Sequence, residues 1–76
     1  MQEAAHDLMQ DEIGIAAGMI WSTLQSRGEL QVRKLKREVA AKTPIFDWAI
    51  GWLAREDKIV VKPGKRSFTV RLKQAE

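Results

Sequence analysis

The chain contains no cysteine, so it forms no disulfide and offers no thiolate to a metal or a substrate. Its one histidine, His6, has no second metal ligand at a recognised spacing, which speaks against a zinc site. No serine, histidine and acid assemble around a nucleophile. No glycine-rich loop is present to cradle phosphate, because Pro63-Gly64 reads as a turn. Paired carboxylates occur only as sequence neighbours, at Asp11-Glu12 and Glu56-Asp57. A core this small also has little room for a pocket of the usual ~300 Å³ or more. These absences point away from an enzyme, and no residue pattern calls for a cofactor or a small-molecule substrate.

Long apolar runs are missing too. The longest stretch without a charge is Ile13 to Ser26, and its apolar part ends at Trp21. That is well short of the ~20 residues a membrane span requires. The residues before it include Glu3, Asp7, Asp11 and Glu12 where a secretory leader would carry bases. The expectation is a soluble, cytoplasmic protein with no membrane partner.

Positive charge is absent from the first 26 residues, which carry four acids. All 13 lysines and arginines lie between Arg27 and Lys73, where five acids leave a net charge of +8. A segment so basic favours polyanions, although the same charges serve a plainly solvated surface.

The 76 residues allow one domain. A chain of this size buries only about 60% of the surface its unfolded form exposes. Hydrophobic residues make up 45% and charged residues 30%, a globular balance. Residues 1–10 carry little pattern and read as a loose terminal segment, leaving residues 11–73 as the domain. Ile13, Ala17, Ile20, Trp21 and Leu24 recur at helical spacing. They predict a first helix over 11–27, with Asp11 as its cap, Trp21 in the core and Gly28 as its stop. Gly14 and Gly18 weaken that helix by up to ~1 kcal/mol each, a cost that close approach of another element would justify. Glu29-Leu30-Gln31 is long enough only for a minimal strand.

Val32, Leu35 and Val39 predict a second helix over 32–41 that turns Arg33, Lys34, Lys36 and Arg37 outward. Thr43 suits a helix cap and Pro44 the first helical position. Phe46, Ala49, Ile50 and Leu53 then give a third helix, over 44–56, its buried stripe, with Trp48 and Trp52 on an adjacent face and Trp52 at least half buried. Beyond it the period falls to two. Ile59-Val60-Val61 and Ser67 to Leu72 form a hairpin across Lys62-Pro63-Gly64-Lys65, a sequence suited to a type II turn. Phe68, Val70 and Leu72 share its inner face.

Helix, minimal strand, helix, short turn, helix and hairpin make an α+β winged helix-turn-helix, with the hairpin as the wing. The run Ala49-Ile50-Gly51-Trp52-Leu53-Ala54-Arg55-Glu56-Asp57-Lys58-Ile59 resembles the end of the third helix and the wing entry in a family of small bacterial winged helix-turn-helix proteins of unknown function. Ile13-Gly14 through Trp21 resembles that family's first helix. The resemblance implies the fold and a DNA-binding role and supplies no ligand; a transcription-regulatory setting is the expectation that goes with DNA binding.

Two functions follow from the residues. The first is weak binding of double-stranded DNA, mostly through its phosphates. The residues for it are Arg33, Lys34, Lys36, Arg37, Lys42 and Thr43 around the second helix, Arg55 on the third, and Lys62, Lys65 and Arg66 on the wing. The third helix is a poor base reader, because Asp47, Trp48, Gly51 and Glu56 are not the residues that recognise base edges. The second function is protein interaction or homodimerisation through Trp48 and Ile45, with Met19 beside them.

Overall fold

A computed structural model describes residues 2–73, with side chains described from Gln10 to Lys73. His6 lies outside the described side chains. Helix α1 spans Gln2–Arg27, strand β1 Leu30–Gln31, helix α2 Val32–Val39, helix α3 Thr43–Arg55, strand β2 Ile59–Pro63 and strand β3 Phe68–Leu72.

Helix α1 begins at Gln2, so Asp11 lies inside the helix and caps nothing. The first ten residues hold no glycine or proline and include Ala4, Ala5, Leu8 and Met9, all good helix formers, so nothing local ends the helix before its apolar part. Its other end is where the pattern predicts. Gly28 adopts φ +82°, and its N–H donates to the Leu24 carbonyl at 2.7 Å, the hydrogen bond that a left-handed residue makes possible at a helix C-terminus.

Helix α2 stops two residues short of its predicted end. Ala40 turns left-handed, at φ 60° and ψ 30°, and its N–H donates to the Lys36 carbonyl. Ala41 and Lys42 complete a three-residue joint. Helix α3 then starts one residue early, at Thr43, with Lys42 at its N-cap position and no side-chain cap. The predicted Thr43 cap is therefore absent, and Pro44 occupies the first turn, where a missing N–H leaves no hydrogen bond unmade. Helix α3 ends through a second left-handed residue, Asp57 at φ 66°. Asp57 N–H bonds to Ala54 and Lys58 N–H to Leu53, a Schellman closure made without glycine.

The three strands form one antiparallel sheet in the order β1-β3-β2. Leu30 pairs with Val70 on one side of β3, and Val61 pairs with Val70 on the other. Strand β2 runs on to Pro63, opposite Phe68, so the chain reverses through Gly64–Ser67 and not through the predicted type II turn at 62–65. Gly64 does not take positive φ. Glycine is required there by crowding, because a Cβ would stand 2.6 Å from the Ser67 carbonyl oxygen, which accepts the Gly64 N–H.

The core lies where the helices meet the inner face of the sheet. Its fully buried side chains are Ile20 from α1, Leu35 from α2, Phe46 from α3 and Val70 from β3. No polar or charged side chain is buried among the described residues. Of the predicted inner-face residues on β3, Val70 is sealed and Leu72 packs at the edge of the core, while Phe68 lies exposed near the wing tip. This is the winged helix-turn-helix arrangement. Among the described residues no helix is long and apolar enough to cross a membrane.

The left-handed alanine gives a direct test. A non-glycine residue at φ 60° costs roughly 1–2 kcal/mol, so Ala40→Gly raises stability by about 1 kcal/mol and the melting temperature by ~4–8 °C, read by circular dichroism. Gly64→Ala lowers both, because its methyl group meets backbone.

Candidate nucleic-acid interface

Leu35 and Val39 hold one side of α2 against the core. Arg33, Lys34 and Arg37 are exposed on the other side. Arg33 and Arg37, four apart, stand one above the other, and Lys34 sits beside them. The sheet register brings the wing alongside: Gln31, at the start of α2, pairs with Thr69, two residues from the reversal at Gly64–Ser67. Arg66 and Ser67 from the wing thus face Arg33, Lys34 and Arg37 from α2. With Gln31 they surround an open hollow of about 350 Å³.

Four of the ten residues expected to meet DNA converge there: Arg33, Lys34, Arg37 and Arg66. None has an acidic partner among the described residues. Bringing like charges to one hollow is unfavourable until an anion enters it, and arginine's planar fork suits the paired oxygens of a phosphate. The sequence pattern did not single out Gln31 or Ser67. Both enter the hollow through strand register, which depends on a two-residue strand with no periodicity to read.

The other predicted residues are dispersed. Lys36 is not free on the outer face, because it is half-buried with its ammonium 5.9 Å from the centroid of the Phe46 ring. Lys42 and Thr43 are exposed at the joint, Arg55 at the far end of α3, and Lys65 at the wing tip. Lys62 reaches Glu29 at 3.7 Å, which offsets its charge. Arg27 pairs with Glu38 at 3.0 Å and Lys73 with Asp57 at 2.7 Å. Asp47 is exposed on α3, where it opposes an approaching phosphate.

The expected interaction surface is only half present. Trp48 is 49% exposed, but Ile45 is 7% exposed and belongs to the core. Ile45 lies one position before the buried Phe46–Ala49–Leu53 stripe and joins the same core cluster. Trp21, expected in the core, is 39% exposed. The buried side of α1 runs through Ala16, Ala17, Ile20 and Leu24, and Trp21 lies about 100° round from Ile20. Trp52 is 48% exposed, close to the half burial expected. Hollows of about 280 to 410 Å³ indent this surface, so the small core does not exclude concavities of pocket size, although these are open. No group of three or more His, Cys, Asp or Glu residues that could hold a metal ion occurs among the described residues.

Comparison with known proteins agrees with this fold. Residues 8–72 match the family described as Winged helix-turn-helix domain (DUF2582). An uncharacterized protein of Methanocaldococcus jannaschii, MJ1608, is 37% identical over 67 residues, which covers 86% of this chain and 96% of that protein. The crystal structure of transcriptional regulator PA4135 superposes with a TM-score of 0.70 at 15% identity, over 95% of this chain. At that identity the likeness is one of fold, and this chain spans 59% of the length of PA4135.

The different settings of two neighbouring cations on α2 separate structure from surface. Lys36→Ala costs about 0.5–1 kcal/mol of stability in urea unfolding, through the lost ring contact. Arg33→Ala stays within ~0.5 kcal/mol of the parent, as an exposed unpaired residue does.

Proposed function

We propose a function from one premise: the chain belongs to the winged helix-turn-helix domain family DUF2582. That function is binding of double-stranded DNA by its backbone, with α2 and the wing as the gripping elements. The observation that carries it is the hollow where Arg33, Lys34, Arg37 and Arg66 converge without a neutralising acid. Lys65, exposed next to Arg66 in the wing, adds a charge to which a further phosphate can bind. A structural neighbour titled a transcriptional regulator supports a regulatory setting for such binding.

Sequence discrimination is low in this reading. Helix α3, which would enter the major groove in the usual docking, turns Asp47, Trp48 and Gly51 to solvent. Only Arg55 has the chemistry to read a guanine edge, and it sits in the last turn. Phosphate contacts then supply the affinity, and base contacts contribute little.

A second reading, a protein-docking or dimerisation module, has its own support in the exposure of Trp48 and Trp52 on one edge of α3. Solvent-exposed tryptophans one turn apart are characteristic of contact surfaces.

Fluorescence anisotropy with a short labelled duplex distinguishes the two. With about four phosphates held, log affinity falls with log salt at a slope of roughly −3 to −4. Arg37→Glu combined with Arg66→Glu abolishes measurable binding at moderate salt. The single substitutions each reduce the slope by about 1 and weaken all duplex sequences alike. A flat salt response, or a double variant that binds like the parent, refutes the DNA-binding reading.

A further inference from the structure

The inner face of the wing outruns the core it packs on. Val70 is fully buried there, and Leu72 packs against the core. Two residues along the same face of β3, Phe68 is 54% exposed. Cross-strand partners share a face of a sheet, so the pairs Val61–Val70 and Pro63–Phe68 place Val61 and Pro63 beside it. Val61 is 38% exposed, and Pro63 is exposed as well. None of the three is part of the buried core. At a solvated hairpin tip threonine would hold the strand equally well. The fold of the chain therefore gives no reason for an aromatic ring at this place.

The apolar ridge is held at the end of the hairpin, beside unpaired charge. Pro63 and Phe68 are the last paired residues before the reversal, which the Gly64 N–H closes by donating to the Ser67 carbonyl at 2.7 Å. Lys65 and Arg66 stand exposed in the middle of that turn. Among the described residues neither has an ion-pair partner, and Glu29 is engaged by Lys62. Arg66 is also one wall of the cationic hollow, with Arg33 and Arg37 across from it. Phe68 follows Arg66 by two residues, so their backbones are at most about 7 Å apart.

An apolar point beside a cationic hollow fits a partner with flat apolar groups directly behind its anions. Duplex DNA has that chemistry, because its stacked bases lie behind two rows of phosphates. A membrane also sets apolar matter behind phosphate, but it is flat. The cations here line a concavity between α2 and the wing, which admits a convex strand of phosphates and keeps a flat surface from its floor. We propose that Phe68, with Pro63 beside it, is a wedge that enters between two base pairs from the minor groove and unstacks them. The proposal rests on the DNA-binding reading of α2 and the wing, and adds a deformation of the duplex to it. Phenylalanine and proline are among the side chains that part base steps in this way and kink the helix. Pyrimidine–purine steps give way most easily. Selectivity then comes from how readily a step opens, with no hydrogen bond to a base edge. That agrees with an α3 whose outward residues are poor readers.

Two duplexes of equal length test this with the full chain. One has a central thymine–adenine step and the other a run of adenines, and each carries the fluorescent base 2-aminopurine at its centre. Stacking quenches that base, so unstacking brightens it. The parent is expected to bind the first duplex about tenfold more tightly and to brighten its 2-aminopurine. Phe68→Ala is expected to lose both effects and to keep the salt dependence of binding, since the phosphate contacts remain. Phe68→Leu, still an apolar wedge, keeps part of the brightening, which separates loss of the wedge from damage to the hairpin. Binding by the parent without brightening, or brightening that Phe68→Ala leaves unchanged, overturns the wedge while the DNA-binding reading stands. Absence of salt-dependent binding to either duplex removes both. Binding to phosphatidylglycerol vesicles that Phe68→Ala abolishes, with the base step undisturbed, overturns the wedge and gives the ridge to a membrane surface.

Discussion

The fold depends on one meeting point. Ile20, Leu35, Phe46 and Val70, one each from α1, α2, α3 and β3, converge with no exposed surface. In a chain of 76 residues there is no second core to compensate if one of them is lost. Phe46 is the largest of the four and is placed by a short-range device. The three residues Ala40 to Lys42 reverse the chain so that the first turn of α3 delivers its ring beneath α2. The left-handed strain at Ala40 is tolerated because that delivery is required. The angle between α2 and α3 is thus a property of the core as much as of the joint.

The same meeting point positions the cationic hollow. Leu35 faces inward, so Arg33, Lys34 and Arg37 face outward. Val70 faces inward at the centre of β3, and its pairing with Leu30 sets the wing beside the start of α2. Burial of apolar residues thereby brings together charges that would otherwise repel one another. Family membership and fold give the scaffold; the convergence of these side chains is what supports the proposal of phosphate binding.

Elements with strong periodicity were legible in the sequence. Phe46, Ala49 and Leu53 marked the inner side of α3, Gly28 marked the end of α1, and alternation from Phe68 to Leu72 marked the central strand. Features decided by backbone geometry were not legible. Ala40 and Asp57 turn left-handed without glycine, so α2 was expected to run longer. Pro63-Gly64 looks like a type II turn by composition, yet the strand register carries Pro63 into β2. Trp21 and Ile45 exchanged their expected places because helical spacing alone resolves a face only to within about one residue in either direction. For the hollow, the charges were visible in sequence, but the meeting of α2 with the wing was not. Neither was the distinction between Lys36, held over a ring, and Arg37, held by nothing.

Strand β1 is only two residues long, and it is the seam that hydrogen-bonds the outer half of β3 to the start of α2. The amides along a short seam reach solvent through local opening, at a cost well below that of unfolding the helices. The tip of the hairpin, from Lys62 to Phe68, is therefore free to open and re-close locally, while Val70 and Ile59 keep the base of the sheet in the core. In the proposed DNA-binding reading, a tip of this kind would let a thick, stiff polymer enter from the side, with no need for a free end to thread.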